Sequence, residues 1–447
     1  MSATLRSEAS AGSWRRRRDP GPPPGFIPAL FSGGDSRIVA DPRTGLNKYL
    51  CPMVPAPELV CASSCTASPV SQRGFDQAAA VYADIALAPS PRLRTDRLTA
   101  LTEQIEARLL RYFGAGALAH AILCPSGTDA LLTTALLLAA ERPGEPVTAI
   151  LPSASETGTG VPLAAVGRVF DGPDSGASLT DQVGQTVEIP FRASDGSPRP
   201  ADVVNQAFAT AAAAAPGHAI VYLTYGSKTG LIGPVSPPDG VDVIVDACQA
   251  RIEPETVAGC LWRGWPVVVT GSKFFGGPAF SGAVLFPRDR RPAAGRRPLL
   301  PVPCEAVRLG TALRWTAALT SIDAFEPLAS GMAEVLAERG EFIAQAIAAN
   351  PSLVPVEGLQ PHGSGWADQP SIFTFGVRDP AYPRRLLTVT GLRPLYERLA
   401  HAGVLLGQPV GLGSFGGLRL ALGARDLLRS GEDDLARVFA ALEDVTG

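Results

Sequence analysis

The most informative segment of this 447-residue chain is Trp265-Pro-Val-Val-Val-Thr-Gly-Ser-Lys-Phe-Phe-Gly-Gly-Pro278. Its apolar first half is typical of a short buried strand, and the glycines after Lys273 indicate a turn at the strand's end. Lys273 is one of only three lysines, with Lys48 and Lys228, among 39 basic residues. Because a desolvated lysine can lose its proton and attack a carbonyl, whereas arginine stays protonated, Lys273 is predicted to be a Schiff-base nucleophile. The alternative is a loop charge in an arginine-biased chain.

The composition indicates a soluble globular protein. The chain is 46% hydrophobic and 18% charged with a net charge of −3, a balance that argues against a nucleic-acid partner. No apolar run approaches the roughly 18 residues that span a bilayer, so no membrane partner is expected. The seven cysteines include no Cys-x-x-Cys pair and the four histidines are scattered. We therefore predict reduced thiols, a cytoplasmic location and no metal site.

Short apolar runs alternate with helical patterns along much of the chain. Strands are predicted at Ala119–Leu123, Val147–Leu151, His218–Thr224, Val241–Val245 and Val267–Val269. Buried strands that alternate with helices favour a parallel or mixed sheet covered on both faces. Such sheets bind ligands at the carboxyl ends of their strands, and each loop of interest in this chain follows a strand.

The sequence is expected to divide into five segments. These are a disordered Arg/Pro/Gly-rich tail (1–37), an N-terminal segment (38–95), a large α/β domain (96–312), a connecting helix (313–349) and a smaller C-terminal α+β domain (350–447). In the last segment a helix is predicted near Pro394–Ala402, because proline suits the first turn of a helix.

Two further signals accompany Lys273. Asp246 stands at the tip of a buried strand, where a carboxylate is costly unless it pairs with a cation such as a pyridinium nitrogen. Ser126-Gly-Thr128 opens a helix directly after a strand, and free peptide N–H groups and the helix dipole there suit a phosphate. Each signal alone has a plain structural explanation, such as a helix cap, but their order and spacing are more specific.

On these residues the chain resembles the class V aminotransferase and cysteine desulfurase family of fold type I pyridoxal-phosphate (PLP) enzymes, over roughly residues 60 to 425. The resemblance implies an α/β fold with a mostly parallel, seven-stranded-type sheet in the large domain and a smaller C-terminal α+β domain. It also implies PLP as the cofactor, an amino acid as the substrate, and a homodimer with a shared active site. The N-terminal segment would contribute to the pocket and to the small domain.

The resemblance also implies roles for single residues. The cofactor-binding set would be Lys273, Asp246, Gln249, Ser126, Gly127, Thr128, Thr157, Ser227, Ser272 and Thr311. Within it, Asp246 and Gln249 would hold the ring nitrogen and the phenolic oxygen, and Thr157 stands where the family has a ring-stacking histidine. Ser272 would reach the phosphate, and Thr311 the phosphate of the neighbouring subunit.

The substrate would be bound by a second set of residues. Arg419, in Gly417-Leu-Arg-Leu-Ala-Leu422, is implied to bind the substrate carboxylate, for which bidentate arginine geometry is suited. Thr66 and Ala67 would line the substrate pocket. Lys228 is predicted to be a loop charge.

These assignments predict an enzyme that acts at the α-carbon of an amino acid, with Lys273 moving the proton and Asp246 keeping the ring electron-withdrawing. Transamination is the leading expectation, and a lyase that removes a β or γ substituent, a racemase or a decarboxylase are alternatives. A non-catalytic PLP-fold binding protein is an alternative of another class. Because no cysteine follows Cys304, the sequence argues against a cysteine desulfurase with a persulfide cysteine near Arg419.

Overall fold

A computed structural model of the chain describes residues 21–180, 182, 184–233, 236–290, 303–360, 362–429 and 432–446. Its α-helices are α1 (Phe26–Leu30), α2 (Gln72–Ala86), α3 (Pro91–Tyr112), α4 (Gly127–Glu141), α5 (Val161–Ala164), α6 (Ala201–Ala213), α7 (Pro254–Trp262), α8 (Glu305–Phe325), α9 (Met332–Ala349), α10 (Val389–His401), α11 (Ala424–Leu427) and α12 (Glu432–Thr446). Its strands are β1 (Val60–Ala62), β2 (Ala119–Cys124), β3 (Val147–Pro152), β4 (Gly184–Ile189), β5 (His218–Tyr225), β6 (Ile232–Gly233), β7 (Asp242–Ala247), β8 (Val267–Thr270), β9 (Gly282–Pro287), β10 (Leu353–Val356), β11 (Ile372–Asp379), β12 (Tyr382–Leu386), β13 (Val404–Leu412) and β14 (Phe415–Ala421). None of the described helices is both long enough and apolar enough to cross a membrane.

The larger sheet has the strand order β2-β9-β8-β7-β5-β3-β4, with the short β6 paired to β5. Strands β3, β4, β5, β7 and β8 are mutually parallel, and β9 runs antiparallel to both β2 and β8. Because β9 is antiparallel to both neighbours, β2 points the same way as β8. The carboxyl ends of six strands, β2, β3, β4, β5, β7 and β8, therefore lie along one edge. This mixed, mostly parallel sheet confirms the predicted α/β class.

Helices cover both faces of the larger sheet, which explains the continuous apolar runs of its strands. Along β8, Val268 packs in a cluster with Leu131 of α4, whereas Val267 and Val269 pack in the main core with α3, α7 and α8. All four residues of β8 are buried. Because β8 is buried on both faces, its sequence shows no alternation of apolar and polar residues.

The smaller sheet is built from both ends of the chain. Its order is β1-β13-β14-β11-β10, with β12 paired to β11. Strand β1 of the N-terminal segment pairs parallel with β13 of this sheet. Arg419 lies on β14, opposite Gly407 of β13 and Thr374 of β11.

The predicted disordered tail, residues 1–37, is wrong for residues 21–37. Residues 1–20 lie outside the described residues. Helix α1 follows, and its Phe26 and Leu30 are fully buried in a cluster with Phe75 of α2 and Leu313 of α8. The short run Phe-Ile-Pro-Ala-Leu supplies enough apolar surface to anchor a segment whose composition is otherwise typical of a linker.

Two helix boundaries also differ from the sequence-based expectation. Helix α10 begins at Val389, so Pro394 lies inside it and not in its first turn. Thr388 is the residue that starts this helix, because its hydroxyl accepts the N–H of Gly391. The connecting helix begins at Glu305, in place of residue 313, and a 3-10 turn at Glu326–Gly331 divides it into α8 and α9.

Candidate active site

The carboxyl edge of the larger sheet and the smaller sheet together enclose a pocket. It is lined by most of the residues that the sequence nominated, namely Lys273, Asp246, Gln249, Ser126, Gly127, Thr128, Thr157, Ser272, Thr66 and Arg419. These positions are separated by up to 353 residues in the chain, as the Arg419–Thr66 hydrogen bond illustrates. The fold therefore brings a scattered set of predicted residues to one place.

Lys273 lies on the turn that follows β8, with its side chain in the pocket. Desolvation by the surrounding protein lowers the pKa of its ammonium group, and the neighbouring Cys248 and Asp246 only partly oppose this shift. No described residue forms a hydrogen bond with its Nζ. An amine with a lowered pKa is more often neutral and therefore nucleophilic, which is the chemistry that the sequence predicted.

Asp246 lines this pocket with its carboxylate. Its Oδ1 accepts the N–H of Cys248 at 3.1 Å, and the Cys248 thiol is a further hydrogen-bonding neighbour of this side chain. Gln249 is more constrained, because its Nε2 donates to the Cys65 carbonyl at 3.0 Å and its Oε1 accepts from Arg251 Nη1 at 3.0 Å. Asp246 is thus the better placed of the two to receive a protonated ring nitrogen.

The amino end of α4 forms the opposite boundary of the site. Ser126 caps the helix: its Oγ accepts the N–H of Asp129 at 3.1 Å and donates to the Asp129 carboxylate at 2.6 Å. Gly127 and Thr128, the first residues of the helix, line the pocket. The first N–H groups of a helix have no partner within the helix, so this end can bind an anion.

Gly127 leaves no room for a side chain, which gives a direct test of this packing. A Cβ at residue 127 would lie 2.8 Å from Cys248 Sγ and 2.9 Å from Thr270 Cγ2. Gly127→Ala is therefore expected to lower the free energy of unfolding by about 1–3 kcal/mol in denaturant titrations. Gly116→Ala is the matched control, because a Cβ at residue 116 would meet nothing within 4 Å. Equal stability of the two variants would contradict the packing described.

The pocket contains more hydrogen-bonding groups than the chain itself satisfies. The hydroxyls of Thr157 and Thr224 are buried and have no hydrogen-bond partner among the described residues. The side chains of Thr128, Ser272 and Lys273 likewise make no hydrogen bond to a described residue. Buried polar groups normally have partners, so such a set suits a polar ligand with several acceptor oxygens, as a phosphorylated pyridine aldehyde would supply.

All three lysines of the chain line this pocket. Lys48 and Lys228 join Lys273, together with Arg37 and Arg419, whereas the acidic lining residues are Glu156 and Asp246. The prediction that Lys228 is a plain loop charge does not agree with this position. The signal was present in the sequence, because the scarcity of lysine applies equally to Lys48 and Lys228.

Glu156 is a structural anchor of the site that the sequence did not nominate. It is buried, and its Oε1 accepts from Arg192 Nε at 3.1 Å. Its Oε2 accepts from the hydroxyls of Ser227 at 2.5 Å and Thr229 at 2.7 Å. The carboxylate thereby fixes the turn on which Lys228 lies.

Arg419 lines the pocket and is 3% exposed. Its guanidinium group is held by hydrogen bonds to neighbouring residues. Nε and Nη2 donate to the Gln408 carbonyl at 3.1 and 2.7 Å, and Nη2 also donates to Thr66 Oγ1 at 3.0 Å. Nη1 donates to the Lys228 carbonyl at 2.8 Å. Since Nη1 carries two N–H groups, one remains for a ligand carboxylate.

Three nominated residues do not reach the pocket. The hydroxyl of Ser227 is turned toward Glu156 and also accepts from Thr229 N at 3.2 Å and Leu231 N at 3.1 Å. Ala67 is buried and is not part of the pocket lining. Thr311 lies in the interior of α8, where its hydroxyl accepts from Arg314 Nη2 at 3.4 Å, so its role at a partner's phosphate stays a prediction. Among the described residues, no group of three or more His, Cys, Asp or Glu side chains is placed to hold a metal ion.

Solved structures share this fold. The cysteine desulfurase CsdA from Escherichia coli is 16% identical with a TM-score of 0.54, over 87% of this chain and 94% of that one. The cystine C–S lyase C-DES in complex with cysteine persulfide is 13% identical with a TM-score of 0.58, over 86% and 97%. A cysteine desulfurase from Thermococcus onnurineus NA1 is 12% identical with a TM-score of 0.58, over 87% and 95%. No family model matches the chain, and no curated protein matches it in sequence.

These similarities confirm the predicted fold type I architecture and correct one prediction. The prediction that excluded a persulfide-type cysteine desulfurase is wrong, because the structures that share the fold are cysteine desulfurases and a cystine C–S lyase. The absence of a cysteine after Cys304 removes one location for a sulfur-accepting thiol. It does not decide which bond of a substrate is broken.

Proposed function

We propose that the chain is a PLP-dependent enzyme that acts at the α-carbon of an amino acid. The observation that carries this proposal is the meeting of Lys273, the carboxylate of Asp246 and the amino end of α4 in one pocket. These three features match the aldehyde, the ring nitrogen and the phosphate of one cofactor. A mutant of C-DES, which shares the fold at a TM-score of 0.60, holds glycine covalently linked to the PLP cofactor.

When bound, PLP supplies an electron sink for the bonds at the α-carbon. The residues of the chain would bind the cofactor and move the proton. The lowered pKa of Lys273 favours the neutral amine, which can attach the cofactor and later move a proton at the α-carbon. Asp246 would keep the ring nitrogen protonated, while Gly127, Thr128 and Ser272 would hold the phosphate.

Two reaction classes use the same residues. The fold neighbours favour cleavage of a bond to a side-chain substituent, because they are named as desulfurases and a C–S lyase. Transamination, the leading expectation from the sequence, needs the same proton movement by Lys273. Release of free ammonia with a keto acid would identify elimination. Transfer of the amino group to an added keto acid, without free ammonia, would identify transamination.

Covalent trapping tests the proposal directly. Protein purified with ample PLP is expected to absorb visible light, and borohydride reduction should leave a cofactor adduct on Lys273 in peptide mass spectra. The chain has only two other lysines, Lys48 and Lys228, so the assignment is unambiguous. A colourless protein, or an adduct on either of the other two lysines, would overturn the proposal. A trapped cofactor whose spectrum ignores every added amino acid would favour a non-catalytic binding protein.

A homodimer is part of the same proposal, because the resemblance implies an active site shared between subunits. Sedimentation equilibrium of the purified protein measures this independently of the cofactor. A strictly monomeric protein would remove the basis for assigning Thr311 to a partner's phosphate.

A further inference from the structure

Resting on the proposed function, we infer that the substrate is an amino acid whose side chain carries a second anionic group, and that Lys228 binds that group. The class is that of acidic amino acids, in which a carboxylate or a similar oxyanion ends a short side chain. Lys228 would then be a specificity-determining residue, with Lys48 contributing positive charge nearby.

The pocket contains more positive than negative charge. Arg37 pairs with Asp35, and Glu156 pairs with Arg192, so these charges are compensated within the chain. Asp246 is assigned to the ring nitrogen under the proposed function. Three cations then remain beside Lys273, namely Arg419, Lys228 and Lys48. One α-carboxylate can neutralise Arg419, which leaves Lys228 without a counter-charge.

Lys228 is held in a position from which it can bind a ligand. Its Nζ donates to the Ala154 carbonyl at 2.8 Å, which holds the side chain in place and leaves two N–H groups for a ligand. No carboxylate of a described residue lies within 4 Å of it. Its own carbonyl accepts from Arg419 Nη1 at 2.8 Å, so Lys228 is adjacent to the predicted carboxylate-binding arginine.

Lys228 and the phosphate position have different neighbours within the pocket. Gly127, at the amino end of α4, packs against Cys248 and Thr270. Lys228 instead contacts Ala154 and Arg419. Peptide N–H groups and hydroxyls surround the phosphate position under the proposed function, so the charge of Lys228 is available to the substrate.

The direction of the pKa shift of Lys228 is consistent with a pocket that lacks an anion beside this amine. Desolvation, followed by the positive charges of Arg419 and Lys273, lowers the pKa of Lys228 to about 8, with Arg37 acting in the same direction and Glu156 opposing it. The group is therefore mainly charged at pH 7 and loses its charge above pH 8. Binding of an anionic side chain would offset the repulsion between these cations. The resulting gain in affinity would decrease as the pH rises and Lys228 loses its charge.

Calorimetric binding of succinate and butyrate tests the inference without requiring turnover. These probes have the same number of carbons and differ in one carboxylate. The wild-type protein at pH 7 is expected to bind succinate about tenfold or more tightly than butyrate, as a charge-assisted contact would provide. Lys228→Met should abolish this preference, and Lys228→Arg should retain part of it. In the wild-type protein the preference should also decline between pH 7 and pH 9.5.

Equal affinities of the wild-type protein for the two probes, or a preference that survives in Lys228→Met, would overturn the inference. The pH series needs no substitution, so it remains decisive if Lys228→Met does not fold. In the loaded enzyme, kcat/KM should be higher for aspartate than for asparagine and for glutamate than for glutamine. Covalent trapping at Lys273 is scored separately, so failure of the proposed function and failure of this inference give different results.

Discussion

Lys273→Ala is expected to lose borohydride-trappable cofactor and to lower turnover by about 10³-fold or more, because it removes both the attachment point and the proton-transfer group. Lys273→Arg is the matched control, since it keeps a positive charge at residue 273 but cannot supply a neutral amine. Both variants should be similarly inactive in steady-state kinetics. An arginine variant that keeps turnover within about tenfold of wild type would mean that residue 273 acts through its charge alone.

Folding of the Lys273→Ala variant is expected to remain intact. Desolvation lowers the pKa of the native Lys273 ammonium, so burial of this charged group opposes folding at neutral pH. Removing it should leave the melting temperature unchanged or higher in thermal unfolding of the cofactor-free protein. A large fall in melting temperature would assign the loss of turnover to misfolding.

The predictions that succeeded are those whose signal is local. The buried strand before Lys273, the strand that carries Asp246 and the capped helix after Ser126 are each specified by residues within about ten positions. Parallel strands place their carboxyl ends at one edge, so the meeting of these three residues follows from topology. The structure brings them together in the pocket.

The features that no local pattern specifies depend on contacts between distant parts of the chain. Pairing of Val60 with Val404 joins the two ends of the chain into one sheet, and no local pattern encodes that partner. Arg37 also reaches the pocket, where it lies over the ring of Phe280 at 4.9 Å. Arg37 was placed at the end of a disordered tail, because composition alone does not show what a segment packs against.

The assignment of Ser227 illustrates a different limit. A motif position suggests which residue follows a strand, but not which way its side chain points. The neighbouring Glu156 captures the Ser227 hydroxyl in this chain, and the adjacent Lys228 lines the pocket. The turn therefore presents an amine where the resemblance suggested a hydroxyl, which could not be foreseen without the buried carboxylate.

Glu156→Gln is expected to lower the free energy of unfolding by about 3–5 kcal/mol, because it leaves Arg192 as an uncompensated buried charge. The side chains of Glu156 and Arg192 are 1% and 6% exposed. Denaturant titration measures the change. Glu397→Gln is the matched control, since Glu397 pairs with Arg393 on the surface of α10 at 45% and 43% exposure. Its loss should cost less than about 1 kcal/mol.

The double variant Glu156→Gln/Arg192→Met separates the buried charge from the hydrogen bonds. It should recover much of the lost stability, since removing both partners of a buried pair is far less costly than removing one. The turn that carries Lys228 would still lack its anchor, because the carboxylate that accepts from Ser227 and Thr229 is gone. We therefore expect the double variant to fold but to lose the preference for succinate over butyrate. Recovery of both stability and preference would show that Lys228 is positioned without Glu156.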